Sequence, residues 1–264
     1  MIRLVLIVLA GTAAASAFAA GGPAPPGTTN SVFAPGSTVM YTTRAHNGHT
    51  TVSVWRNGRT TWSVEIRGSF GVPVPTQQGG VEGVSHNGRT LLLAWIRGRA
   101  SKFAVLDVPA LRLRRMVELP GRFSYDALSP DARNLFLIQL SSDSNHYYVR
   151  SYDVAHGRLD RRIVSDAREK AGPMSGLPIT RVTGPSGRWV FTLYSKPTGG
   201  FFVHALDTGD RHAFCIDLPR AGSSSSTSTM RLQLRPGRLS VMQGSARLAA
   251  IDTKTLRVTK TGRP

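Results

Sequence analysis

The chain has 264 residues, 33 lysines and arginines against 15 acids, and a formal net charge of +18. Its single cysteine, Cys215, excludes an intrachain disulfide framework and a cysteine-based metal site. The length suits one large domain or two small ones, and such a basic surface favours polyanionic partners.

Arg3 opens a short positive segment, LVLIVLAGTAAA follows as an apolar run, and Ala17-Phe18-Ala19 sets small residues at the two positions a signal peptidase reads. Residues 1–19 are therefore expected to be a signal peptide. The alternative is an uncleaved anchor. No other stretch is long and apolar enough to span a membrane, so the expected location is secreted or cell-envelope associated. GGPAPPGTTNSV begins a stretch, 20–36, expected to be a flexible linker to a domain at 37–264. Cys215, in the apolar run AFCIDL, is expected to be a buried, inert thiol.

From residue 37 onward the chain reads as short strands rich in Val, Ile, Leu, aromatic residues and Thr, broken by turn residues. STVMYTTR, HTTVSVW, RTTWSVEI and FGVPVP form a weak first unit at 37–76. Four stronger units follow, each containing a polar turn that ends in Arg and then an apolar strand: VSHNGRTLLLAWI, LSPDARNLFLIQL, TGPSGRWVFTLYS and LRPGRLSVMQG. The turn position is held by Gly88, Ala132, Gly187 and Gly237, at spacings of 44, 55 and 50 residues. A second marker keeps step: VLDV, SYDV, ALDT and AIDT carry Asp107, Asp153, Asp207 and Asp252, spaced by 46, 54 and 45. Only AREKAG at 167–172 suggests a helical turn.

Four strands per unit at a 40–55-residue period predict an all-β fold, a β-propeller of four-stranded blades, five of them. The physical logic is that each sheet buries its faces against its neighbours in a radial arrangement. A two-sheet sandwich is the alternative that strand spacing leaves open. The small-polar-x-[Gly/Ala]-Arg turn and the LDT or YDV strand end resemble exported bacterial propellers of the WD-repeat-like, TolB-like and lactonase-like kind, over roughly 79–260. The resemblance implies a ring fold and little about chemistry. The chain lacks a Trp-Asp dipeptide, so the likeness to WD repeats rests on architecture alone.

One aspartate per unit, always before a tight turn, suits a structural role: the carboxylate can accept backbone N–H bonds two residues on. Arg89, Arg133, Arg188 and Arg238 are positioned to pair with turn carboxylates. The long connections are 141–146, 165–178, 195–200 and 219–229, and blade geometry would gather them at one end of the ring. Asn145, His146, Tyr147, Arg168, Lys170, Lys196 and Arg220 are the binding candidates there.

No HExxH, GxSxG or Walker-type loop occurs, and the seven histidines are scattered. The expectation is a monomeric binding module, without metal or cofactor, for a partner protein or an anionic cell-envelope polymer. No basic helix or RNP-type motif points to nucleic acid. The competing reading is a lactonase-like, metal-dependent hydrolase with its site in the central channel. Innermost strands offer only Glu82 and Asp126 for that chemistry.

Overall fold

The computed structural model describes residues 28–97, 100–142, 146–166, 168, 172–219 and 227–259. β1 (Thr28–Thr29) is followed by sheet 1, made of β2 (Ser31–Phe33), β3 (Met40–His46), β4 (His49–Arg56) and β5 (Arg59–Arg67). β6 (Val72–Pro73) pairs with β1. Sheet 2 contains β7 (Thr90–Arg97), β8 (Ala100–Asp107) and β9 (Arg112–Pro120). Sheet 3 runs β10 (Phe123–Leu128), β11 (Asn134–Leu140), β12 (Tyr147–Asp153) and β13 (Arg158–Val164). Sheet 4 runs β14 (Leu177–Thr183), β15 (Trp189–Ser195), β16 (Phe201–Asp207) and β17 (His212–Asp217). Sheet 5 runs β18 (Met230–Arg235), β19 (Arg238–Gln243), β20 (Ala246–Asp252) and β21 (Val258–Thr259). All strand pairs within these sheets are antiparallel, in chain order.

Sheet 2 gains an inner edge from residues 83–85. Val84 bridges to Leu91, the Leu92 amide donates to Gly83 O, and the Ser85 amide donates to Thr90 O.

The first unit departs from the sequence expectation. FGVPVP was expected as its outer strand, yet the fourth strand of sheet 1 is β2, which precedes the other three. Val72–Pro73 pairs with β1, and Gly71 bridges to Ala94 of β7. That segment instead runs inward, where the Gln77 and Gln78 amides donate to Pro178 O and Ile179 O at the start of β14. Consequently Thr28–Thr29 and Ser31–Phe33, placed in the linker by composition, are strands.

Four apolar layers separate the five sheets. Tyr41, Val52 and Val54 of sheet 1 pack with Leu91, Leu93 and Ala104 of sheet 2. Phe103, Val105 and Val117 meet Tyr125, Leu135 and Leu137. Phe136, Ile138 and Val149 meet Val190, Tyr194 and Leu206. Phe191, Leu193 and Val203 meet Leu239, Val241 and Ile251. The alternation of strand side chains places these sets on facing surfaces, and their burial supplies the main driving force for stacking.

The repeated turns explain the repeated sequence. Gly88, Ala132, Gly187 and Gly237 all have positive φ, between 54° and 75°. Four residues beyond each marker aspartate, Leu111, Gly157, Arg211 and Leu256 also have positive φ, between 49° and 70°. The two turns are tied together. The amides of Val108, Val154 and Thr208 donate to the carbonyls of Arg89, Arg133 and Arg188 in turn. In sheet 1 the hairpins turn instead on Asn47-Gly48 and Asn57-Gly58, with both residues of each pair at positive φ, the geometry whose twist matches paired strands.

Candidate functional site

The turn aspartates work on their own backbones. Asp107 Oδ1 accepts the Ala110 amide at 3.1 Å, and Asp153 Oδ1 accepts the His156 amide at 2.9 Å. Asp207 Oδ1 accepts those of Gly209 and Asp210. Asp252 Oδ1 accepts those of Lys254 and Thr255, together with the Thr255 hydroxyl. Among the turn arginines, Arg188 forks onto Asp207 at 2.8 and 2.7 Å and also reaches Asp210, while Arg133 lies 3.2 Å from Asp131. For Asp207, burial raises its carboxyl pKa, but the Arg188 fork and the turn amides outweigh that and hold it below the usual carboxylate value.

Two inner strands and the segment before β7 bring charge together at the axis. Glu82 precedes β7, Asp126 lies in β10 and Arg181 lies in β14. Asp126 occupies a bulge, where the register with β11 shifts between Tyr125 and Ala127. The Arg181 guanidinium donates to Asp126 Oδ1 at 2.7 Å, to Glu82 Oε2 at 3.2 Å and to Asp126 O. Tyr125 completes the group by donating its hydroxyl to Glu82 Oε2 at 3.2 Å. The Arg181 and Asp126 side chains are 4% and 1% exposed. Burial alone would lower the pKa of Arg181, and the two carboxylates reverse this, so it stays charged. Asp126 Oδ2 and, one sheet away, His204 Nε2 make no hydrogen bond among the described residues. On the turn side, Gly187 of sheet 4 lies against His86 of sheet 2; a Cβ built on it would come within 2.5 Å of the His86 Cβ.

The sequence-predicted binding residues have different surroundings. Tyr147 is fully buried, its ring stacked on Tyr194 at 5.9 Å, and its amide and carbonyl pair with Met174. His146 is exposed and closes a turn with Ser141. Lys196 pairs with Asp217 at 2.6 Å. Asn145, Lys170 and Arg220 lie outside the described residues, as does most of AREKAG. Cys215 is half-buried at the edge of the sheet 3–sheet 4 layer.

Arg168 has a built environment. It forks onto Asp166 at 3.0 and 2.8 Å, donates to Cys215 O at 2.7 Å, and lies 5.4 Å over the Phe214 ring. Asp166 in turn accepts the Cys215 amide at 2.7 Å and bridges in parallel to Ala213. The connection after β13 therefore straps the outer edge of β17. Burial pushes the Asp166 carboxyl up, but Arg168 and the two amides overcome it and bring the pKa down to about 2.

Beside this strap is a cleft of about 240 Å³ between sheets 4 and 5, lined by Arg168, Trp189, His212, Phe214, Lys254 and Leu256 with Thr255. Register builds its aromatic wall. Trp189, Asp207 and His212 form one cross-strand row, and Phe191, Ala205 and Phe214 form the next. Trp189 stacks on Phe191 at 6.0 Å, and His212 meets Phe214 edge-on at 5.3 Å. Lys254 and Thr255 come from the β20–β21 turn that Asp252 holds. The long-loop reasoning reached Arg168 but missed the other lining residues, which sit on strand ends and a short turn. Period-two alternation of Trp189 with Phe191 and of His212 with Phe214 was the available signal.

No family model matches the sequence, and no curated protein matches it either. Among solved structures the chain is similar to the Dos1 propeller, with 9% identity, 84% of this chain and 56% of that one covered, and a TM-score of 0.53. It is similar to a functionally unknown protein from Desulfotomaculum acetoxidans DSM 771 at 10% identity, with coverages of 89% and 69% and a TM-score of 0.53. A prolyl endopeptidase structure matches at 12% identity, with 86% of this chain but only 35% of that chain covered, and a TM-score of 0.50. The chain thus spans about half of the Dos1 propeller chain and a third of the peptidase. At such identities the likeness concerns fold alone, and together with the five stacked antiparallel sheets it makes this an all-β protein of the β-propeller class.

Proposed function

We propose that the protein is an extracytoplasmic binding module whose propeller presents a rigid surface to an anionic cell-envelope polymer or a partner protein. Residues 1–19 would direct export, and the mature chain would act as a monomer. No helix among the described residues is long and apolar enough to cross a membrane. The observation that carries the reading is the cleft between sheets 4 and 5. Its aromatic wall of Trp189 and Phe214, with Lys254 at its margin, offers apolar area for a ring or side chain and positive charge for an acidic group.

The hydrolase alternative is less well supported by the axis. Its two carboxylates, Glu82 and Asp126, are both engaged by Arg181, so a bound guanidinium already stands where a metal ion would have to sit. The test is co-sedimentation of purified protein with purified bacterial cell walls. Saturable binding is expected, with a Trp189→Ala/Lys254→Ala variant weakened about tenfold or more. Failure of the folded wild type to bind either walls or envelope proteins overturns the proposal.

A further inference from the structure

The two end sheets of the stack differ from the three between them. Each middle sheet has apolar layers on both faces, whereas among the described residues no apolar layer joins sheet 5 to sheet 1. Sheet 5 buries Met230, Leu239, Val241, Ala249 and Ile251 against sheet 4. Alternation then sends the intervening side chains to its other face. Those residues are strongly basic. Arg231, Met242 and Arg247 form one cross-strand row; Gln233, Ser240 and Ala250 form the next; Arg235, Arg238 and Asp252 form the third. Arg231, Arg235, Arg238 and Arg247 are exposed and make no ion pair among the described residues. The only acid on the face, Asp252, is spent on the amides of Lys254 and Thr255.

Four guanidinium groups on one open sheet repel one another unless an anion lies across them. Strand geometry sets their spacing: Arg235 and Arg238 are directly opposite, about 5 Å apart, Arg231 and Arg247 are two strands apart, about 10 Å, and Arg231 and Arg235 are four residues apart along a strand, about 13 Å. Duplex nucleic acid carries a charge about every 1.7 Å of axis, far denser than this array. A polymer with one acidic group per sugar or sugar pair fits better, and the uncharged Gln233, Ser240 and Met242 between the arginines can contact sugar hydroxyls and carbon faces. Guanidinium is the cation that grips a carboxylate with two parallel hydrogen bonds.

We infer that the free face of sheet 5 is a docking surface for a linear carboxylated polysaccharide. This rests on the binding-module reading above and adds a second surface to it, separate from the cleft.

The test uses full-length mature protein and polygalacturonate as the probe, with dextran as the neutral control. Wild type is expected to bind polygalacturonate and not dextran, with affinity falling as salt rises. An Arg231→Ser/Arg235→Ser/Arg247→Ser variant should bind about tenfold or more weakly and show a shallower salt dependence. The same three positions changed to Lys should recover only part of the loss, because charge returns without the fork. An Arg112→Ser/Arg114→Ser/Arg161→Ser variant, equal in charge but on sheets 2 and 3, should bind as wild type. The inference is overturned if the sheet 5 variant binds normally, if the control variant loses as much, or if duplex DNA, polyphosphate or anionic lipid vesicles bind more tightly than polygalacturonate. If wall binding is lost in the Trp189→Ala/Lys254→Ala variant but persists in the sheet 5 variant, the module reading stands and this surface assignment falls.

Discussion

Gly187 and Gly237 occupy the same turn position, at φ of 73° and 75°, yet only Gly187 has a neighbour in the way. Gly237→Ala pays the left-handed backbone cost alone, about 1 kcal/mol, whereas Gly187→Ala adds a collision with His86 and should cost about 2–3 kcal/mol. Urea unfolding of the two variants measures the difference, and equal losses would refute an axial contact between sheets 2 and 4. At the axis, Arg181→Met leaves buried Asp126 without its cation, beside half-buried Glu82, and should cost about 3–5 kcal/mol. Adding Asp126→Leu should recover much of that loss, since it removes the stranded charge. Of these residues, Glu82 and Asp126 stand out in the sequence as rare acids near strand edges. Arg181 does not, because an arginine in LPITRVT reads as one more surface cation until the bulge in β10 turns Asp126 toward it.

At the scale of single elements, the strap formed by Asp166 and Arg168 covers the outer edge of sheet 4. Its carboxyl is held at about 2 against an ordinary 3.8, so ionised Asp166 stabilises the folded chain by about 2 kcal/mol. Because the folded value is depressed, this contribution is complete above about pH 4 and disappears as pH falls through 2. Asp166→Asn should therefore unfold at lower urea than wild type at pH 7, and the two should converge near pH 2. Strands and turns of sheets 3, 4 and 5 are legible from sequence, since alternation and tight-turn residues act over a few positions. The first unit is misread because FGVPVP pairs with β1 and, through Gly71, with β7, while the fourth strand of sheet 1 comes from the N-terminal side.

Across the whole molecule, the interior between sheets 3 and 4 holds His204, which is 1% exposed. Burial lowers its pKa below the usual 6.5, with Asp126 opposing and Arg181 assisting. The folded protein thus keeps this imidazole neutral where an unfolded chain would take up a proton. Stability should be intact above about pH 6.5 and decline as pH falls below it. Thermal unfolding between pH 7.5 and 5 should show that decline in wild type and a smaller one in His204→Gln; identical slopes would place the pH sensitivity elsewhere.

The recurring turn and strand-end markers determined the all-β class, the four-strand unit and the propeller architecture, because each marker encodes a local hydrogen-bonded turn with a fixed φ requirement. The tertiary structure alone decided which side chains meet. The ion cluster of Glu82, Asp126 and Arg181, the cleft of Trp189 and Phe214, and the burial of Tyr147 all join residues dozens of positions apart. Such contacts depend on how sheets stack and where a bulge shifts register, and neither property is carried by a repeat written in turn residues.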